Sequence, residues 1–187
     1  MKKTIFILIT LFCLNIYSQE KTENNEPIVF LESIYGIAGQ INDRGAFLLG
    51  GELNYQFKSN LFSIRYLIQL KSDSDILSAN NQEIGLLYGK RRIYNGSSLS
   101  ISGGLSLNKD LNRATIKNSK NYIGFPLEIN FKWFKPKRKR YKAYGIIPIG
   151  KPTSFGRNWG VKLVGNISKN SFVGLGIVYG FGIHKKY

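Results

Sequence analysis

Cysteine, histidine and acidic residues are scarce in this chain of 187 residues. One Cys and one His exclude a disulfide framework and an ordinary zinc site. Only 11 acidic residues accompany 27 basic ones, so the formal net charge is +16. No apolar run of about 18 residues, the length of a transmembrane helix, follows the N-terminal segment. Hydrophobic residues nevertheless make up 43% of the chain and aromatic residues 13%, which excludes a disordered protein.

The N-terminus has the three parts of a secretory signal peptide. Lys2 and Lys3 supply positive charge, residues 5–14 are apolar, and Ser18 is a small residue for the peptidase. The apolar part is too short to cross a bilayer of about 30 Å. The predicted division of the chain is a signal peptide at 1–18, a flexible leader at 19–27 and a folded domain at 28–187.

From residue 28 onward, apolar side chains recur at every second position, which is the period of a β-strand. In residues 46–57, for example, Phe47 and Leu53 share one face, whereas Glu52 and Asn54 share the other. Clear alternation marks residues 46–57, 62–71, 98–107, 123–133 and 173–183. Weaker alternation marks residues 28–40, 83–91, 142–150 and 159–168.

These segments are longer than ordinary strands of about five or six residues and match the roughly 9 to 11 that a tilted transmembrane strand needs. The number of candidates is odd, whereas bacterial barrels have an even number of strands. Pro148 makes 142–150 the weakest candidate, because proline cannot donate a hydrogen bond to a neighbouring strand. We predict an all-β fold, an antiparallel up-and-down transmembrane β-barrel of eight strands, with ten as the alternative.

Residue size indicates which face of the wall points inward. The polar face consists mostly of Ser, Gly and Asn, and the apolar face of Leu, Ile, Phe and Tyr. The interior of an eight-stranded barrel is narrow and filled by side chains, so small residues suit it and the large apolar ones face lipid. The alternative is a soluble exported barrel with the opposite arrangement, which would bind an apolar ligand.

Four charged residues on the predicted inner face are Glu52, Arg65, Glu128 and Lys162. Unpaired charge is costly away from water, so we expect them to pair with one another as a structural feature. The functional alternative is that they line a narrow channel for small solutes.

Basic residues concentrate in one predicted turn. They are Lys132, Lys135, Lys137, Arg138, Lys139, Arg140 and Lys142. A solvated turn is one interpretation, and contact with the phosphate of anionic lipid head groups is the other. We expect no nucleic-acid partner, because an exported chain does not meet nucleic acid in its compartment.

Connection lengths predict the orientation. Longer connections at 41–45, 72–82, 108–121 and 151–158 alternate with shorter ones. Transmembrane barrels have short periplasmic turns, so the N-terminus and the basic turn would be periplasmic. The loops at 72–82 and 108–121 would carry any binding. Trp133 would then lie at the inner rim and Trp159 at the outer rim.

The export signal, the alternation throughout 28–183 and the aromatic residues Phe181 and Tyr187 near the C-terminus resemble the small outer-membrane β-barrel proteins of Gram-negative bacteria. Lys185 departs from the apolar residue usual at its position. The resemblance covers nearly the whole exported chain. It implies an outer-membrane location, outer-membrane lipid as a partner, and a structural or loop-mediated role.

Catalysis is not expected. Enzymes of this architecture use a His with Ser or acidic partners, and the only His here is His184, which we interpret as a rim residue near the C-terminus. Asp73 and Asp75 are too few ligands for a calcium site. We therefore predict no catalytic residues, no metal and no cofactor, and we leave the oligomeric state open.

Overall fold

A computed structural model describes residues 27–40, 43–73, 76–111, 121–134, 139–143, 147–153 and 155–183. The strands are β1 (Ile28–Gln40), β2 (Asp43–Phe57), β3 (Asn60–Asp73), β4 (Ile76–Ile93), β5 (Ser97–Asp110), β6 (Asn121–Phe134), β7 (Lys139–Ala143), β8 (Ile147–Thr153), β9 (Phe155–Ile167) and β10 (Phe172–Ile183). Within these ranges, no helix is long and apolar enough to cross a membrane. The predicted signal peptide and His184 lie outside the described residues.

Eight strands close into a barrel in the order β1-β10-β9-β6-β5-β4-β3-β2. Every neighbouring pair is antiparallel, so the predicted eight-stranded all-β barrel is confirmed. Successive cross-strand partners of Val29, traced once around the wall, lead back to β1 at Gly39. This stagger tilts the strands and closes the cylinder.

The segment 142–150 does not form a barrel strand. It contributes to β7 and β8, which pair only with each other in a separate two-stranded sheet. Pro148 lies within β8, where a strand with one partner needs fewer backbone donors than a strand inside a barrel wall. The alternative of a ten-stranded barrel is therefore wrong, because two of the ten described strands lie outside the barrel. Without 142–150, the nine candidate segments become the eight strands of the barrel.

With eight strands, β1 begins and β10 ends at the same end of the barrel. We call this end the N-terminal rim and the opposite end the loop end. The connection between β6 and β9 spans 135–154 and belongs to the N-terminal rim. Because this connection is longer than the one at 111–120 at the loop end, the predicted alternation of long and short connections is wrong.

The predicted loop at 72–82 is also mostly strand. β3 and β4 continue to pair there, with Lys71 opposite Ser78 and Asp73 opposite Ile76, so only residues 74–75 interrupt them. The connection between β5 and β6 begins after Asp110, and its residues 112–120 lie outside the described part. The loop end therefore carries a hairpin where a loop at 72–82 was predicted.

The outer face of the barrel is apolar around its whole circumference, as alternation predicts. Leu105 and Ile129, for example, are 58% and 44% exposed. Their neighbours Ser106 and Asn130 point inward and are buried. A soluble barrel with an apolar interior is therefore excluded for the described residues.

Candidate functional site: the barrel interior

Small polar side chains line much of the barrel interior because of the two-residue period of the strands. β5 contributes Ser98, Ser100, Ser102 and Ser106, all buried, while its outward positions carry Ile101, Leu105 and Leu107. Asparagines fill the same role on β2, β6 and β9 at Asn54, Asn130, Asn158 and Asn166. Their short side chains leave room at the centre for longer charged ones.

Eight charged side chains are buried among the described residues, and their charges balance. The acids are Glu32, Glu52, Glu83 and Glu128, and the bases are Arg65, Arg91, Lys132 and Lys162. The structure thus places the four residues singled out by sequence inside the barrel, together with four that were not singled out. A balanced set lets each charge find compensation where water is excluded.

Lys162 is the centre of the charged cluster. Its Nζ lies 3.0 Å from Glu128 Oε1 and 3.5 Å from Glu32 Oε2, and it also donates to Glu52 Oε2. These four residues come from β9, β6, β1 and β2, so one lysine connects distant parts of the wall.

Arg65 on β3 extends the cluster to the other side of the interior. Its guanidinium donates to Glu83 Oε1 at 2.6 and 3.1 Å and to Glu128 Oε2 at 3.2 Å. The other oxygen of Glu83 accepts a hydrogen bond from Asn166 Nδ2 at 2.6 Å. A continuous polar chain therefore crosses the barrel, in which Glu83 accepts hydrogen bonds from Arg65 and Asn166, and Glu128 forms ion pairs with Arg65 and Lys162.

Lys132 and Arg91 lie nearer the N-terminal rim, against aromatic rings. Lys132 Nζ is 2.5 Å from Glu32 Oε1 and 4.2 Å from the centre of the Phe30 ring. The Arg91 guanidinium is 4.7 Å from the same ring and donates to Gln56 Oε1 at 2.9 Å and Ser98 Oγ at 3.0 Å. Lys132 is therefore an interior residue, as its place on the polar side of residues 123–133 predicts, although it also belongs to the basic run in the sequence.

Apolar clusters flank the charged residues at both ends of the interior. Toward the N-terminal rim, Ile28, Phe30 and Leu61 pack together, with Ile93 and Ile183 against them. Toward the loop end, a second cluster contains Ile34, Ala38, Leu48, Leu67, Val164, Phe172 and Val178. Leu67, which interrupts the polar side of β3 within residues 62–71, belongs to this cluster. The flanking clusters limit the access of water to the charges between them.

The residues of the predicted basic turn lie mostly outside the described part of the chain. Lys135, Lys137 and Arg138 lie outside the described residues, and Lys139 and Arg140 are described only as the first backbone positions of β7. No group of three or more His, Cys, Asp or Glu suited to a metal occurs in the described part of the chain.

An aromatic belt surrounds the outside near the N-terminal rim. The rings of Phe62 and Tyr88 lie 5.1 Å apart, and those of Trp133 and Trp159 stack at 4.5 Å. Trp133 and Trp159 are direct partners on β6 and β9, so the prediction that Trp159 lies at the opposite rim is wrong. The error follows from counting 142–150 as a barrel strand, which reversed the assumed direction of β9.

Comparison with known proteins bears on the fold. No protein-family model matches the sequence, and no curated protein matches it significantly. Among solved structures, the N-terminal β-barrel domain of Pseudomonas aeruginosa OprF matches with a TM-score of 0.55 and 13% identity, covering 86% of this chain and 99% of that one. Neisserial surface protein A (NspA) matches with a TM-score of 0.51 and 11% identity, covering 84% of this chain and 96% of that one. The chain therefore has the fold of the small eight-stranded outer-membrane β-barrels.

Proposed function

We propose that this protein is an outer-membrane barrel with a closed interior, no catalytic activity, and a structural role or an interaction role carried by its loop end. The observation that carries the proposal is the balanced set of eight buried charges between two apolar clusters. Ion pairs of this kind connect strands on different sides of the barrel and so stabilise its wall. They are poor candidates for general acids or bases, because each is held by partners rather than directed at a substrate site.

Outer-membrane location is supported by the apolar outer face and by the fold. A water-soluble surface would carry interspersed charges, whereas residues such as Leu107, Ile123 and Ile177 are 64 to 65% exposed on this one. Lipid is the solvent that suits such a surface. Export by a signal peptide at 1–18 is part of the same proposal.

Cell fractionation and a heat-modifiability gel test this location. The chain is expected in the membrane fraction, and the folded barrel should migrate differently from the boiled chain in SDS, because strand pairing resists detergent. Recovery from a soluble fraction without detergent, with identical migration before and after boiling, would contradict the proposal.

A narrow channel is the second candidate, and one observation favours it. Among the described residues, several buried polar atoms have no hydrogen-bond partner: Glu52 Oε1, Asn54 Nδ2, Ser102 Oγ and Asn130 Oδ1. Such atoms suit ordered water, and connected water could conduct small ions. Planar-bilayer recordings separate the two candidates. A closed interior predicts no discrete conductance steps, and reproducible steps would favour the channel.

A further inference from the structure

Acidic residues are distributed unequally between the two ends of the barrel, whereas basic residues occur at both. The four glutamates of the barrel strands are buried inside, and the aspartates of the strands, Asp43, Asp73 and Asp110, occupy positions at the loop end. On the outside near the N-terminal rim, the described residues include no carboxylate. They include four exposed cations, Lys58, Lys90, Arg92 and Arg157, which we call the rim cations.

The rim cations lie beside the aromatic belt. On β4, Lys90 and Arg92 follow Tyr88 on the same outward face, and on β9 Arg157 precedes Trp159 in the same way. Tyrosine and tryptophan concentrate at the depth of the lipid head groups. Cations next to them toward the barrel end are therefore at the level of lipid phosphate, which long basic side chains can reach.

Lys58 shows separately that a cation occupies a position where the backbone does not favour lysine. It occupies the two-residue turn between β2 and β3 with φ of 54°, a left-handed conformation that Gly or Asn adopts more readily. Gln56 Nε2 donates to the carbonyl oxygen of Lys58 at 2.6 Å and holds the turn. Local backbone preference therefore does not account for lysine here; what lysine adds over Gly or Asn is a long side chain with a positive charge, 5.8 Å from the Phe57 ring.

We propose that the rim cations bind the phosphodiester head groups of anionic phospholipids. The inference rests on the proposed insertion of the barrel in a membrane. Guanidinium and ammonium groups form charge-assisted hydrogen bonds to phosphate oxygens. A lipid with net negative charge keeps this attraction, whereas the ammonium of a zwitterionic head group competes for its own phosphate. The rim should therefore enrich anionic lipid around itself.

Tryptophan fluorescence tests the inference at the site itself. The chain has two Trp residues, Trp133 and Trp159, and both belong to the belt beside the rim cations. The chain is reconstituted into phosphatidylcholine vesicles in which the same fraction of lipid is either brominated phosphatidylglycerol or brominated phosphatidylcholine. Stronger quenching by the anionic lipid, equivalent to a relative association constant of about threefold or more, is expected.

The triple variant Lys90→Gln, Arg92→Gln, Arg157→Gln should lower this ratio most of the way to one, since only Lys58 remains, and about 1 M salt, which shortens the Debye length to about 3 Å, should bring it to about one. The matched control replaces Lys109 and Lys169, exposed at the loop end, by Gln and should retain the preference. Equal quenching by the two lipids in the unaltered protein, or an unchanged ratio in the triple variant, would overturn the inference while leaving membrane insertion intact. Absence of quenching by either lipid would instead contradict insertion itself.

Lys58→Asn separates a lipid contact from a structural role. Asn suits the left-handed turn better, so this variant should fold at least as stably as the unaltered chain. Its preference for brominated phosphatidylglycerol should nevertheless fall, because one rim cation is removed. A preference that rises or stays constant as the turn becomes more stable would exclude Lys58 from the lipid site.

Discussion

The inner and outer surfaces of this barrel wall are made by the same strands but differ in how strongly they specify their residues. On the outside, Leu, Ile, Val and Phe occupy equivalent positions, because lipid requires only an apolar surface. On the inside, each charge has particular partners, such as the three glutamates around Lys162. The comparison indicates that the inner surface carries the specificity of the fold, and the following variants test it.

Lys162→Met should have the largest effect. It leaves Glu32, Glu52 and Glu128 with less compensating charge inside the barrel, and breaking a buried ion pair from one side costs about 3 to 5 kcal/mol of unfolding free energy. Urea titration in lipid vesicles, followed by tryptophan emission, measures the loss. Lys169→Met, at an exposed turn, is the control and should stay within about 0.5 kcal/mol of the unaltered chain.

The same experiment can be sharpened with a second site. Adding Glu52→Gln to Lys162→Met removes one of the charges that the first substitution left uncompensated, so the double variant should recover part of the loss. If Lys162→Met is no worse than Lys169→Met, the interior charges do not stabilise the barrel.

A charge on the outer surface should have the next largest effect, and its size should depend on depth. Ile129→Arg, in the middle of β6, should lower the unfolding free energy in vesicles by about 2 to 4 kcal/mol, because the guanidinium would meet hydrocarbon. Ile123→Arg, near the end of the same strand, should cost only about 0 to 1 kcal/mol. Equal costs at the two positions would contradict the lipid-facing assignment.

Glycines on the two surfaces of β9 offer a third contrast. A Cβ at Gly160, which faces inward, would lie 2.2 Å from the carbonyl oxygen of Phe131, whereas at Gly165, which faces outward, the nearest atom is Phe172 O at 3.5 Å. Gly160→Ala should therefore destabilise the barrel by about 1 to 3 kcal/mol, and Gly165→Ala by less than about 0.5 kcal/mol. Thermal unfolding in one detergent compares them, and the reverse order would show that the wall relaxes around Gly160.

A substitution at the N-terminal rim, where the inner and outer surfaces meet, should change the unfolding free energy least. Lys58→Asn relieves a left-handed backbone conformation and should raise the unfolding free energy by about 0.5 to 1 kcal/mol. Ser59→Ala in the same turn is the control, because it does not replace a residue in the left-handed conformation and should not raise the stability. A loss of stability on Lys58→Asn would indicate that the lysine side chain itself supports the turn, as its position 5.8 Å from the Phe57 ring would allow.

Interior charges were identifiable from sequence where apolar residues flank the charge on both sides. Glu52 and Arg65 each stand between apolar neighbours on strands whose faces differ, so their inward direction could be read directly. Glu32 follows four apolar residues in a row, and Arg91 lies between Lys90 and Arg92, so neither local pattern distinguishes two faces. Such residues are assigned only when cross-strand register fixes the face of the whole strand.

The direction of β9 shows the corresponding limit for topology. Strand β1 could be delimited at 28–40 from its composition, and the same bounds appear in the structure. The segment 142–150 has comparable local character, yet it pairs only within a small separate sheet. Local alternation indicates that a segment can form a strand but not which strand it pairs with. Counting 142–150 as a barrel strand therefore reversed the predicted direction of β9 and placed Trp159 at the wrong rim.

The sequence alone was enough to predict an all-β wall with large apolar residues on one surface and small polar ones on the other, because side chains alternate between the two faces within each strand. Pairing between strands was needed to select the eight that close, to place the start of β1 and the end of β10 at one end, and to bring Lys162 among three glutamates from different strands. The physical reason is separation along the chain: Lys162 and Glu52 are 110 residues apart, and only closure of the cylinder makes them neighbours.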